Sequence, residues 1–379
     1  GPYLLDANDR PAPTMARILA IESTCDETAA AVVEDGYVVR SNVVASQAAT
    51  HAKFRGVVPE IASRAHIESI LPVVREALAA AVQQAGTPPA PSPGSSLRLS
   101  PSSLDFDAVA VAHRPGLIGS LLIGLTAAKT LAWALGKPLI GIDHVHAHLY
   151  SVALETNAAP PLPAVGLVCS GGHTALYRVG SWTDVELIGA TIDDAVGEAY
   201  DKVAAILGLS YPGGPAIDAL AADGDPRAVA FPRPLLGRDS LDFSFSGLKT
   251  AVLYRVRGVP TKDGPGVRDP AAAPPPPTGQ ALADLCASFQ AACIDVVLTK
   301  LRRAADRVGA RSVIVGGGVS ANRGLRAALG RLPLPVFVPP LRYCTDNAAM
   351  SGGLAHVYYE RGKFSDLSLD AVTFSQFAR

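Results

Sequence analysis

The strongest constraint on this chain is a pattern it contains twice. An apolar strand runs into a short loop of small polar residues, and a second apolar strand returns from it through Thr-Ala. The first copy is Ile18–Val33, with the loop Ser23-Thr24-Cys25-Asp26-Glu27-Thr28, and the second is Val165–Val179, with the loop Ser170-Gly171-Gly172-His173. Each copy continues into another strand after a turn, Glu34-Asp35-Gly36 in the first and Gly180-Ser181 in the second, and Asp-Gly between apolar runs is a hairpin signal. The likeness is one of pattern and not of identity, so it fits either a duplicated hairpin-led α/β unit or two unrelated hairpins.

Behind each hairpin the chain alternates strands with helices. After the first come a helical stretch from Ile61 to about Gln84, a strand at Ala108–Ala112, an apolar helix over Leu117–Gly136 and a strand at Pro138–Ile142. After the second come helices at Asp194–Leu207, Pro215–Ala222, Ser246–Val256 and Ala281–Val308, a strand at Ser312–Val315, a helix from near Ser320, and a last helix opened by Asp346. Strands alternating with helices behind two hairpins predict two α/β domains with mixed sheets and a cleft between them. At 379 residues two domains are expected: 15–148 with 340–379, and 149–339. Residues 1–14 read as a leader before a native start at Met15, and Pro-, Ser- and Gly-rich insertions are expected at 87–103 and 258–280.

Composition excludes some classes. A formal charge of -1 excludes a globally basic nucleic-acid binder but leaves room for a local patch, for example around Arg302, Arg303, Arg307 and Arg311. Five scattered cysteines without a C-x-x-C pair fit a reduced cytoplasmic compartment. Leu117–Gly136 is apolar enough to raise the membrane question, yet its Lys129, Gly119 and Gly124 fit a buried helix, so no membrane association is expected.

Several stretches can carry chemistry. In Gly141–Ser151, a helix capped by Asp143 sets His144 and His148 four residues apart on one face, where they can grip a divalent metal; ordinary surface histidines are the alternative. His146 projects elsewhere. Asp346 is either the cap of the last helix, a role open also to Thr345, or a carboxylate completing a His/His/Asp set suited to Fe(II) or Zn(II). The turns Ser170–Thr174, Tyr211–Pro215 and Gly316–Asn322 let backbone N–H groups approach a nucleotide, and Asn322 can bond a ribose or base edge; tight packing is the alternative. Asp26 and Glu27 can act as a base, orient a water or hold a metal, or be solvated loop acids. Asp194, Glu198 and Asp201 align on one helix face, which predicts a bound partner for one of them, against a solvated acidic face.

Taken together, these stretches resemble the TsaD family of tRNA N6-adenosine threonylcarbamoyltransferases, whose archaeal and eukaryotic counterpart belongs to the KEOPS complex. The resemblance rests on Ile21–Thr28, Gly56–Arg64, Pro115-Gly116-Leu117, the histidine pair, Val168–Thr174, Gly197–Lys202, Tyr211–Pro215, Phe245–Lys249, Gly316–Arg323 and Cys344–Ala349, in one order. It implies an actin-like, Hsp70-like (RNase H-like) fold with the active site between domains. It also implies transfer of the threonylcarbamoyl group from threonylcarbamoyl-AMP to N6 of adenosine 37 in tRNAs reading ANN codons, forming t6A with release of AMP. It carries metal ligation, usually of iron, onto His144, His148 and Asp346. Donor binding carries onto Val168, Cys169, Ser170, Gly171, Gly172, Asp201, Gly214, Asp218 and Asn322, and reaction-centre acids onto Asp26 and Glu27. TsaB-like and TsaE-like partners are expected in bacteria. The chain departs from the family at His113-Arg114 before Pro115-Gly116, where a glycine is usual, and at His146, where a Glu is common.

Three rivals remain. A zinc peptidase of H-x-x-x-H spacing needs Glu after the first histidine, and Val145 stands there. An actin-like ATPase or sugar kinase explains the loop Ser23–Thr28 but gives the histidine pair no task. A non-catalytic subunit of a tRNA-modifying complex is the third.

Overall fold

The computed structural model describes residues 15–54, 56–84, 105–237, 239–258 and 277–374. The leader, all of the insertion at 87–103 and most of that at 258–280 lie outside them.

The first sheet contains β1 (Arg17–Glu22), β2 (Glu27–Glu34), β3 (Val38–Ser46), β4 (Ala108–Arg114) and β5 (Leu139–Asp143), in the order β3-β2-β1-β4-β5. The second contains β6 (Ala164–Cys169), β7 (Thr174–Ser181), β8 (Asp184–Ala190), β9 (Ser312–Gly316) and β10 (Val336–Phe337), in the order β8-β7-β6-β9-β10. Taken strand for strand the two orders are the same. In both sheets the first three strands are antiparallel and the other pairings parallel. The duplicated hairpin-led unit is therefore real, and the two mixed sheets have the actin-like arrangement. The connection from β2 to β3 turns through Asp35 and Gly36, both with positive φ (53° and 78°), and Tyr37 N donates back to the Glu34 carbonyl at 3.3 Å.

The helices are α1 (Ala48–Ala52), α2 (Pro59–Gln84), α3 (Ile118–Leu135), α4 (His144–Tyr150), α5 (Val196–Ile206), α6 (Gly213–Ala221), α7 (Ser246–Arg257), α8 (Gly279–Val308), α9 (Arg323–Leu329) and α10 (Ala348–Glu360). Alternate side chains of each central strand feed opposite layers, as the two-residue strand period demands. Leu19 and Ile21 pack outward with Val74, Leu78 and Leu125 of α2 and α3, whereas Ile18 and Ala20 pack inward with Met350 and Leu354 of α10. Val165 and Leu167 pack outward with Phe289 and Val296 of α8, while Ala164 and Val168 pack inward with Val145 and Leu149 of α4.

The short helix α4 thus touches both sheets, Ala147 and Tyr150 joining the first inner layer and Val145 and Leu149 the second. The division expected at 148/149 falls inside it. Among the described residues two helices, α3 and α8, are long and apolar enough to cross a membrane by length and composition. Both pack in the fold, α3 through Leu121, Leu125, Ala128 and Ala132, and α8 through a face that includes Leu285, Phe289, Val296 and Leu301.

Candidate metal centre and cleft

The metal-binding expectation begins with a cap. Asp143 ends β5, and its side chain accepts from the N–H groups of Val145 (3.0 Å) and His146 (3.3 Å), which starts α4 at His144. Arg114 Nε holds the other oxygen of Asp143 at 3.2 Å. Of the two residues before Pro115-Gly116 at which the chain departs from the family, Arg114 therefore anchors the cap. The other, His113, bonds the carbonyl of Asp370 at 2.8 Å.

His144 and His148 then project from adjacent turns, both buried, with ring centroids 4.6 Å apart. Asp346 Oδ1 lies 3.0 Å from His148 Nε2 and 3.5 Å from His144 Nε2. Each of the three offers a ligand atom, and these atoms all fall within 4.8 Å of one another. Among the described residues Nδ1 of His148 has no hydrogen-bond partner. Two imidazoles and a carboxylate around one point, largely out of water, suit a borderline divalent cation, so the residues present could hold a metal. Burial acts to lower the pKa of His144, but Glu22 and Asp346 outweigh it and hold the imidazole well above its usual range. Burial acts to raise Asp346, but His144 and His148 hold its carboxyl well below the usual range. A cation at the centre would take over this charge balance. His146 faces Tyr177 instead, at 5.8 Å between rings.

Asp346 is not the helix cap. The cap of α10 is Asn347, whose side chain accepts from Met350 N at 3.0 Å, and the helix begins at Ala348. The carboxylate of Asp346 is turned to the histidines instead. Its loop is tied to the segment after α4, because Tyr343 donates to Glu155 at 2.7 Å and Arg342 forms an ion pair with the same carboxylate.

Both hairpin loops open on this centre. Burial, then the charges of Asp346 and Asp26, push Glu27 up to about 9. Burial, then His144 and His148, push His173 of the second loop down to about 4. The charge of Asp26 also acts across the cleft, adding to burial in raising Asp201 and Tyr211.

The glycine-rich turns divide into two kinds. A Cβ at Gly197 would strike the Ser170 carbonyl, one at Gly213 the backbone of α5, and one at Gly317 (φ +89°) the Cys169 carbonyl, so these three are packing glycines. At Gly171, Gly172 and Gly214 a Cβ would meet nothing within 4 Å. Those three border open space, as an approaching ligand needs.

The donor-binding candidates fall into three groups. Val168 and Cys169 are buried at the end of β6, beside the loop formed by Ser170, Gly171 and Gly172. Asp201 accepts from Gly213 N at 2.7 Å, which binds α5 to the start of α6 beside Gly214. Asp218, a turn further along α6, is joined to Asn322 through Gln290, whose Nε2 lies 3.2 Å from Asp218 and whose Oε1 lies 2.6 Å from Asn322 Nδ2. Sequence reasoning missed Gln290, although its signal was a polar residue inside the apolar run of α8. It missed the role of Glu22 as well, a charged residue ending an otherwise apolar strand.

Some expectations need correction. Asp194 lies outside α5 and is paired with Lys202 (2.6 Å) and Lys249 (3.1 Å), while Glu198 is paired with Lys202 at 2.8 Å. Asp194 and Glu198 are thus neutralised by the protein's own lysines, whereas Asp201 of the same row accepts from the main chain of Gly213. The helix expected near Ser320 begins only at Arg323; Asn322 caps it, accepting from Leu325 N at 2.8 Å. The side-chain amide of Asn322 is thus already bonded at both ends. Three of the four arginines proposed as a patch donate to main-chain carbonyls: Arg303 to Gly237, Arg307 to Asp239 and Arg311 to Leu162.

Comparison with known proteins agrees with this geometry. Residues 38–353 match the family model of TsaD, tRNA N6-adenosine threonylcarbamoyltransferase. A protein of that name from Moorella thermoacetica is 50% identical over 368 residues, covering 95% of this chain and 96% of its own. One from Geotalea uraniireducens is 46% identical over 359 residues, covering 94% and 95%. Among solved structures, HypF of T. kodakarensis superposes with a TM-score of 0.57 at 16% identity, over 93% of this chain and 48% of that one, a likeness of fold alone. A family model spanning most of the chain, with relatives near half identity along its length, establishes that the chain belongs to the TsaD family of tRNA N6-adenosine threonylcarbamoyltransferases.

Proposed function

We propose that this protein transfers the threonylcarbamoyl group of threonylcarbamoyl-AMP to N6 of adenosine 37 in tRNAs reading ANN codons, giving t6A and AMP. The observation that carries the reading, beyond family membership, is the convergence of His144, His148 and Asp346 beside both hairpin loops. These three residues hold one divalent metal, Fe(II) in preference to Zn(II). When bound, the cation supplies a template that fixes the threonyl end of the donor and so orients its carbamoyl carbon.

The chain's own residues do the rest. Val168–Gly172, Asp201, Gly214, Asp218 and Asn322 bind the AMP portion, with Gly171, Gly172 and Gly214 leaving room for it. The exocyclic amine of the flipped-out base attacks the carbamoyl carbon, the bond from that carbon to the phosphate oxygen breaks, and AMP leaves with the electron pair. The amine loses a proton, which Asp26 accepts; Glu27 shares a proton with it, as adjacent carboxylates do. The setting is cytoplasmic, in keeping with five free thiols. Partners are tRNA and TsaB-like and TsaE-like proteins, and the exposed Ile67 and Leu71 of α2 with Ile118 and Leu122 of α3 offer an apolar face for one of them.

The test is mass analysis of tRNA nucleosides after incubation with donor, metal and this protein, with and without partners. The expected result is t6A matched one-for-one by AMP. No gain of mass on tRNA, together with ATP hydrolysis in a parallel incubation supplied with ATP, would favour the ATPase reading instead.

A further inference from the structure

We infer that Glu22 is a positioning residue of the metal centre: its buried carboxylate fixes the tautomer of His144 and turns Nε2 toward His148 and Asp346. The inference rests on the proposal that those three residues hold a metal.

Glu22 is the last residue of β1, and no part of it reaches solvent. Its contacts come from three separate elements. Oε1 accepts from Thr24 N at 2.9 Å, in the first hairpin loop. Oε2 lies 3.0 Å from Nδ1 of His144 on α4 and 3.4 Å from Oγ of Ser351 on α10. A carboxylate can only accept. Nδ1 of His144 must therefore carry the proton, and the hydroxyl of Thr24, 3.3 Å from the same nitrogen, takes a second share of it.

The consequence falls on the other ring nitrogen. With Nδ1 held protonated by Glu22, the proton that His144 gives up when a cation takes over the charge balance is the one on Nε2, the atom 3.5 Å from Asp346, and the lone pair then lies there. Without Glu22 the ring is free to protonate Nε2 and donate to Asp346, which closes the centre with a hydrogen bond and leaves one ligand fewer. Charge points the same way. A divalent cation held by two neutral imidazoles and one carboxylate keeps a net positive charge, and a second carboxylate behind the ligand cancels it where water cannot. A carboxylate behind a ligating imidazole commonly changes metal affinity about 10- to 100-fold.

The experiment measures Co²⁺ affinity of the metal-stripped full chain by chelator competition, with the Co²⁺ visible absorption spectrum and the apoprotein melting temperature. The variants are Glu22→Gln, Glu22→Ala, His148→Ala and Asp346→Ala. E22Q keeps shape and an acceptor but loses the charge. Its expected Kd is about 10-fold weaker with the apoprotein melt unchanged, and E22A is weaker still, by up to about 100-fold, with a shifted Co²⁺ spectrum. If H148A and D346A lose Co²⁺ while E22Q matches the parent in Kd and spectrum, the role of Glu22 is overturned and the metal centre stands. If H148A and D346A bind Co²⁺ like the parent, the metal centre fails and this inference with it. Should E22A melt early, E22Q, which leaves no cavity, decides.

Discussion

The two hairpin loops occupy equivalent places in a duplicated topology, yet they are held in opposite ways. The first is pinned from outside. Ser23 donates to the Ser120 carbonyl at 2.8 Å, Leu117 N to the Thr24 carbonyl at 2.9 Å, and Ser120 Oγ and His66 Nε2 reach the Cys25 carbonyl at 3.2 and 3.0 Å. The second closes chiefly on itself: Ser170 N donates to the His173 carbonyl at 2.8 Å and His173 N to Ser170 Oγ at 3.1 Å, with one bond from outside, Gly197 N to the Ser170 carbonyl at 3.2 Å, and Gly171 and Gly172 stay exposed. A loop that carries buried or half-buried carboxylates needs neighbours to fix them, whereas one that admits a ligand needs open space. Duplication supplied one scaffold twice, and the side chains divided the work.

The largest expected effect tests what the loops share. His148→Ala should remove the metal and slow transfer by at least about 1,000-fold, since a bound cation commonly supplies several kcal/mol. Metal analysis and t6A formation measure both, and an active, metal-free variant would end the reading. The next separates the loops. Asp26→Asn should lower kcat about 100-fold with the donor KM and metal content unchanged. Gly171→Ala should raise the donor KM with kcat unchanged, and should shift stability by less than about 0.5 kcal/mol, because its Cβ meets nothing within 4 Å. Equal effects of the two variants on kcat would erase the division of labour. Gly317→Ala is the packing control. At φ +89° and under the Cys169 carbonyl, it should cost about 2 kcal/mol or more in urea unfolding.

How much of this was legible depends on how far apart the interacting residues lie. The strands were visible because central strands such as Arg17–Glu22 and Ala164–Cys169 are almost continuously apolar, and their burial follows from that. The start of α4 was visible because an N-cap is a local bond, from Asp143 to residues two and three further on. The cap of α10 was misplaced by one residue because Asp346 and Asn347 are both good caps. What decides between them is the pair of imidazoles that claims Asp346, His148 from 198 residues away. The acidic row failed likewise, since Lys249 reaches Asp194 from another helix. Glu22 and Gln290 stayed hidden because their partners come from several elements at once.

The smallest effect concerns the pinning of the first loop. His66 on α2 bonds Thr28 Oγ1 through Nδ1 at 2.7 Å and the Cys25 carbonyl through Nε2 at 3.0 Å. A carbonyl only accepts, so Nε2 carries the proton and Nδ1 accepts from the Thr28 hydroxyl. Protonating Nδ1 breaks that arrangement, and burial, the leading cause, lowers the pKa of His66 in the fold. The unfolded chain binds this proton first, so the stabilisation is complete above an unfolded pKa of about 6.5 and is lost as pH falls through the lower folded value. His113, within β4, is lowered by burial in the same direction. Urea unfolding at pH 7.5 and 5.5 should show the parent losing more stability on acidification than His66→Gln, whose amide keeps a donor and an acceptor but cannot titrate. No counterpart is expected in the second loop outside its own His173, because its remaining bonds are made by groups that do not ionise in that range. If His66→Gln loses as much stability as the parent over that interval, His66 does not carry the acid sensitivity of the first loop.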